Sequence, residues 1–161
     1  MVASVLLAIT AIAAPCHAHA NATGSPVVIG DSVTVAAGPA LEQRGLGVNA
    51  RGCRQISEGL RVMRALRPRK TVLALGANGT VTVRQLRAAL HLTRRLVLVT
   101  PGGRDDGDCG RILGFAHRHR LRVIDWARIA RAHPRWLAGD GLHLTPVGAR
   151  AFARTIALAV R

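Results

Sequence analysis

Ser32, Asp140 and His143 are the residues of this sequence whose types and order could do covalent chemistry. Ser32 follows Gly30-Asp31 at the end of a short apolar run at 27–29. Asp140 and His143 stand three residues apart, just ahead of the last helical stretch. A serine hydroxyl is a poor nucleophile at neutral pH until a base takes its proton, and a histidine serves best as that base when a carboxylate holds its other ring nitrogen. Each residue also has an ordinary structural use: Ser32 as a helix cap, Asp140 in an Asx turn before Gly141, His143 packed under the final helix. Taken together, in this order and at these junctions, the chemical reading is favoured.

Such residues need a scaffold that brings positions 32 and 140–143 together. Apolar runs at 27–29, 47–50, 71–75, 96–99 and 121–124 read as strands. Between them lie helical patterns at 32–44, 54–66, 82–92 and 111–119, with Gly38-Pro39 placed to kink or divide the first and Pro68 stopping the second. Residues 104–110 read as a polar loop. Two short helical pieces lead to Gly139-Asp140-Gly141, and Thr145 then caps the last helix with Pro146 at its first position. Five short strands alternating with helices predict an α/β fold, three layers α/β/α around a five-stranded parallel sheet. Turns after the first and third strands put Ser32 and Asn78 on one edge of that sheet, where open α/β sheets place their sites.

The first twenty residues differ from the rest. An apolar run over 2–14 precedes Ala18-His19-Ala20, a small-x-small pattern, so residues 1–20 read as a signal peptide and residues 21–161 as one domain. A retained anchor needs about 18 apolar residues or more, and a lipoprotein reading of Cys16 fits poorly with Pro15 before it. Removing residues 1–20 leaves Cys53 and Cys109, an even pair that in an exported protein reads as a disulfide, with two separate thiols as the other reading. The 161 residues carry a net charge of +15, nearly all of the positive charge arginine, with Lys70 the sole lysine. This charge implies attraction to anionic polymers or surfaces, or a plain arginine bias of the genome. It does not imply nucleic acid, because no aromatic platform interleaves the arginines. His117 and His119 lack partners for a metal, and Asp105, Asp106 and Asp108 lack the downstream ligand of a calcium loop. No metal or cofactor is expected.

Three ordered motifs, Gly-Asp-Ser at 30–32, Gly-x-Asn at 76–78 and Asp-x-x-His at 140–143, resemble the SGNH (GDSL-like) hydrolase superfamily. The strings ARGCRQISEGL, LALGANG, VIDW and DGLHLTPVGARAFA resemble the extracellular SGNH domain of cell-wall O-acyltransferases. The resemblance covers residues 26–160 and implies a flavodoxin-like SGNH fold. It makes Ser32 the nucleophile, His143 the base and Asp140 its orienting acid. Its oxyanion hole would use the Ser32 N–H, the Asn78 side chain and the N–H of Cys53 rather than Gly52. A Cys53–Cys109 disulfide would hold that loop beside the site, and the Asn78-Gly79-Thr80 sequon is then accidental. The implied function is a secreted or cell-envelope serine esterase or acyltransferase acting on short acyl esters, acetyl above all. Its substrate would be an acyl ester, a cell-wall glycan among the candidates, with a membrane acyl donor as a partner and the protein itself monomeric. Short loops suggest an open, shallow site. The alternative is a non-catalytic basic cell-wall-binding domain that keeps the fold.

Overall fold

The computed structural model describes residues 16–103 and 106–161. Five strands form a parallel sheet in the expected order: β2 (Val27–Gly30), β3 (Gly47–Arg51), β4 (Lys70–Ala74), β5 (Arg95–Val99) and β6 (Arg122–Ile124). A sixth strand, β1 (Ala18–Asn21), adds antiparallel to β3, so the spatial order is β1-β3-β2-β4-β5-β6. The chain switches direction across the sheet at β2, which leaves a crevice beyond its carboxyl end.

Alternation along the strands divides the core. Val28 faces one layer of helices, α1 (Ser32–Glu42), α5 (Trp126–Arg131) and α6 (Pro146–Ala159), together with Val48, Val72 and Val99. Val27 and Ile29 face the other layer, α2 (Ile56–Leu66), α3 (Val83–His91) and α4 (Asp106–Arg118), with Leu73 and Leu98. Period-two side chains on a parallel strand covered on both faces require this continuous apolar character. Trp126 and Phe152 meet edge to face at 4.8 Å in the first layer, each ring buried among aliphatic side chains.

Four sequence expectations are corrected. The expected strand count of five becomes six, because Ala18–Asn21 pairs with β3 and docks on α1, where Nε2 of His19 lies 2.8 Å from the Glu42 carboxylate. A Cβ on Gly38 would lie 2.7 Å from the His19 ring, so the glycine makes room for this strand. The expected leader boundary after Ala20 therefore falls inside β1, while the apolar run at 2–14 lies outside the described residues. Helix α1 passes through Gly38-Pro39 undivided, held by Val33, Ala37, Ala40 and Leu41 in the core. Helix α4 begins at Asp106 and not at 111. The Asp108 carboxylate accepts the Val81 N–H at 2.9 Å and pairs with Arg111, a tertiary anchor that outweighs the poor helix propensity of Gly107 and Gly110. Helix α2 starts at Ile56 and not at 54, because Arg54 turns inward to strand carbonyls.

Candidate active site

The turn after β2 uses each of its residues differently. A Cβ on Gly30 would lie 1.9 Å from Oγ1 of Thr34, so only glycine allows α1 to start this close to the strand. Asp31 is 2% exposed and caps α1, its Oδ1 accepting the Val33 N–H at 3.2 Å. Its Oδ2 accepts the Ala77 N–H at 3.3 Å, which ties the turn after β2 to the turn after β4. Burial pushes the Asp31 pKa up, opposed by the N–H groups of Val33 and Ala77. Because Asp31 does the capping, the Ser32 hydroxyl is left for other work.

Asp140 and His143 lie in the loop between α5 and α6. The loop is closed by the Ala138 N–H donating to the His143 carbonyl at 2.7 Å and by an antiparallel bridge from Leu137 to Leu144. Oδ1 of Asp140 accepts the N–H groups of Leu142 and His143, both at 2.9 Å, so the Asx turn is real. Oδ2 of the same carboxylate lies 2.5 Å from Nδ1 of His143, and Nε2 of His143 lies 3.0 Å from Oγ of Ser32. One carboxylate thus shapes the turn and holds the ring. The His143 contact, with the two backbone N–H groups behind it, lowers the Asp140 pKa to about 2. An ionised carboxylate accepts a hydrogen bond from Nδ1–H, which leaves Nε2 as the acceptor for the serine hydroxyl.

The resemblance names two further donors, Asn78 and Cys53. The Asn78 side-chain nitrogen is buried and has no partner among the described residues. The Gly52 N–H is spent on the His17 carbonyl at 2.7 Å, which leaves the neighbouring Cys53 as the available backbone donor of that turn. Cys53 stands at φ +60°, a left-handed conformation that costs a non-glycine residue about 1 kcal/mol or more. The expected Cys53–Cys109 bond is corrected: Cys53 is bonded to Cys16, with a Cα–Cα distance of 5.7 Å. Cys53 follows β3 and Cys109 lies beyond β5, with β2 and β4 between them. Three strand spacings come to about 14 Å, twice what a disulfide spans. Cys109 is instead buried in α4, its thiol 3.5 Å from the Pro101 carbonyl.

Sequence reasoning missed Arg54. It is 7% exposed, and its guanidinium donates to the carbonyls of Gly30 at 3.3 Å and Asn49 at 2.5 Å and to the Asn49 side-chain oxygen at 2.9 Å. It ties the end of β2 to β3. Burial pulls its pKa below the ordinary arginine value, with Arg51 adding to the effect and Glu58 and Asp31 opposing it. An inward arginine leaves no local signature in a chain this rich in arginine. Among the described residues no group of three His, Cys, Asp or Glu side chains could hold a metal. His119 stacks on Phe115 at 4.2 Å.

Known proteins share this arrangement of elements. The catalytic domain of the peptidoglycan O-acetyltransferase OatA from Streptococcus pneumoniae, solved with a methylsulfonyl adduct, superimposes with a TM-score of 0.67 at 25% identity, over 83% of this chain and 90% of that one. A candidate SGNH hydrolase from Slackia heliotrinireducens superimposes with a TM-score of 0.64 at 19% identity, over 84% of this chain and 97% of that one, a likeness of fold. The chain has the SGNH hydrolase fold. This SGNH-fold domain is also similar in sequence to the O-acetyltransferase OatA of Staphylococcus aureus, 27% identical over 146 residues, or 82% of this chain. It spans 24% of the length of that relative. No family model matches the SGNH domain. No helix among its described residues is long and apolar enough to cross a membrane.

Proposed function

We propose that this SGNH domain is a serine esterase or O-acetyltransferase that works through an acyl-enzyme on Ser32. The observation that carries the reading is the unbroken relay from Asp140 Oδ2 through His143 to Ser32 Oγ, with contacts of 2.5 and 3.0 Å. Nε2 of His143 takes the hydroxyl proton as Oγ attacks the ester carbonyl carbon. The resulting oxyanion is held by the N–H groups of Ser32 and Cys53 and by the Asn78 amide, donors aimed before the charge develops. As the intermediate collapses, the ester C–O bond breaks and the imidazolium returns its proton to the leaving alkoxide. Water or a sugar hydroxyl then attacks the acyl-serine by the same steps in reverse, giving either a carboxylic acid or a new ester.

The names of the OatA relatives support acetyl as the acyl group and peptidoglycan as the polymer. The half-exposed Asp140 and His143 make a shallow site suited to a small acyl group on a large alcohol. A disulfide at the site supports an oxidising compartment outside the cell. We read the domain as exported and monomeric, with its leader upstream of Cys16 and a membrane protein supplying acyl groups. Sequencing the amino terminus of the exported protein checks the leader: a chain starting before Cys16 keeps β1, and one starting at Asn21 lacks it.

Hydrolysis of p-nitrophenyl acetate, with and without a peptidoglycan oligosaccharide and beside Ser32→Ala, tests the reading. Ser32-dependent nitrophenol release supports the nucleophile, and an acetylated oligosaccharide among the products makes the protein a transferase. Release equal in the Ser32→Ala variant overturns the mechanism. No release from either protein would favour the non-catalytic binding domain.

A further inference from the structure

The edge of the sheet opposite Ser32 carries a second, unassigned surface. Strands β4, β5 and β6 each begin with an exposed cation, Lys70, Arg95 and Arg122, and Lys70 and Arg95 are direct partners across the ladder. Arg69 and Arg94 precede the first two strands and are also exposed. Three adjoining depressions run along this edge, the one between β4, β5 and the end of α6 holding about 310 Å³. Every charged side chain lining them is cationic, Arg161 among them.

The segregation is more than an arginine-rich composition would produce. Asp31, Glu58, Asp108 and Asp125 follow carboxyl ends of strands, Asp140 lies beside Ser32 through His143, and Glu42 is occupied with His19. The arginines near those acids are partnered: Arg51 with Glu58, Arg111 with Asp108, Arg128 with Asp125. Among the described residues, no ion pair reaches Arg69, Lys70, Arg94 or Arg95. Clustered like charges repel one another and cost stability unless something fills them.

We propose that this edge docks a linear poly(polyol phosphate), a phosphodiester polymer without bases, independently of the acyl chemistry on the opposite edge. Guanidinium forks match phosphate oxygens in pairs, and strand starts about 4.8 Å apart offer successive cations to successive phosphates. A bilayer fits less well, because the charges surround concave depressions and Leu158 is the one large exposed apolar side chain lining them among the described residues. A nucleic acid fits less well too, because no aromatic side chain lines the depressions to stack on a base. Docking at the edge away from Ser32 would hold the enzyme on an anionic matrix with its site facing outward.

The test is titration of the whole protein with poly(glycerol phosphate) across a salt series, beside an Arg69→Gln/Arg94→Gln/Arg95→Gln variant and a single Lys70→Gln variant. The parent should bind with an affinity that falls steeply with salt. The triple variant should lose about tenfold or more in affinity, and its slope of log K against log salt should shrink by about 2. Lys70→Gln, a milder change at an exposed side chain, should show a smaller loss in the same direction. Ser32-dependent turnover of p-nitrophenyl acetate should be the same in all three proteins, so loss of docking and loss of catalysis read out separately. Polymer binding unchanged in both variants overturns the proposal. Phosphatidylglycerol vesicles or a single-stranded oligodeoxynucleotide bound more tightly than the polymer, at equal phosphate, would overturn it as well.

Discussion

At the carboxyl edge of the sheet Arg54 is buried against the Gly30 and Asn49 carbonyls and Arg51 faces Glu58, whereas at the amino edge Arg94 and Arg95 stand in solvent. The same side chain is a brace in one place and an open charge in the other. The difference lies in what the neighbouring turns supply. Turns after the parallel strands bring carboxylates and backbone N–H groups together around the crevice, and the turns before β4, β5 and β6 bring strand-leading cations. A net charge of +15 is therefore a poor description of either edge. One edge is a balanced, hydrogen-bonded site and the other a one-sign field.

The largest test of this division is loss of the relay. Ser32→Ala and His143→Ala should each lower turnover of an acetyl ester by about 10⁴-fold or more, and the double variant should be no worse than either. Thermal melting should stay near that of the parent, because Ser32 and His143 lie at the surface of the site. A comparable loss of activity in Arg94→Gln would abolish the distinction between the edges.

The disulfide comes next. Reduction, or Cys16→Ser, should release the Cys53 turn and lower kcat by about 10²-fold, the usual cost of one oxyanion donor, with about 2–4 kcal/mol lost in stability. Activity assays before and after reduction, with a denaturant melt of each state, separate the two effects. An unchanged kcat would remove Cys53 from the oxyanion hole.

The arginines themselves give a sharper contrast. Arg54→Gln should destabilise the protein by about 3 kcal/mol, since it strands carbonyls at the ends of β2 and β3. Arg94→Gln should stay within about 0.5 kcal/mol of the parent. Urea unfolding of both variants measures the gap, and equal values would refute the assignment of brace and open charge.

The smallest expected effect is in pH. The Asp140 pKa of about 2 lies below the ordinary 3.8, so its contact with His143 stabilises the fold fully above pH 4. That contribution is lost as pH falls toward 2. Asp31 has the opposite sign: burial raises its pKa, so its ionisation costs stability as pH rises past 3.8. Unfolding of the parent against Asp140→Asn between pH 2 and 5 should converge at the acid end, and a constant difference would contradict the sign.

Several elements were legible from local pattern. The apolar runs of the parallel strands need no partner to be recognised, because a strand buried on both faces must be apolar throughout. Thr82 caps α3 with Gln85, and Thr145-Pro146 starts α6, both readable because caps act within one turn of helix. Ser32, Asp140 and His143 could be picked out as candidates because such residue types at such junctions are few, and the structure brings their side chains within hydrogen-bond reach. The role of Asp31 was not, since the nearest serine looked like the cap until the buried carboxylate was seen holding Val33 and Ala77.

By itself the sequence determined the α/β alternation, the edge of the sheet where Ser32 lies and the candidates for the proposed relay, because periodicity, caps and turn chemistry are local. The pairing of Cys16 with Cys53, the addition of β1, the inward turn of Arg54 and the gathering of cations at one edge were decided by tertiary structure. Each depends on which strands become neighbours, and strand order is set by how the whole chain buries its two apolar faces. A residue's partner across the sheet is a property of that order, which no window of sequence contains.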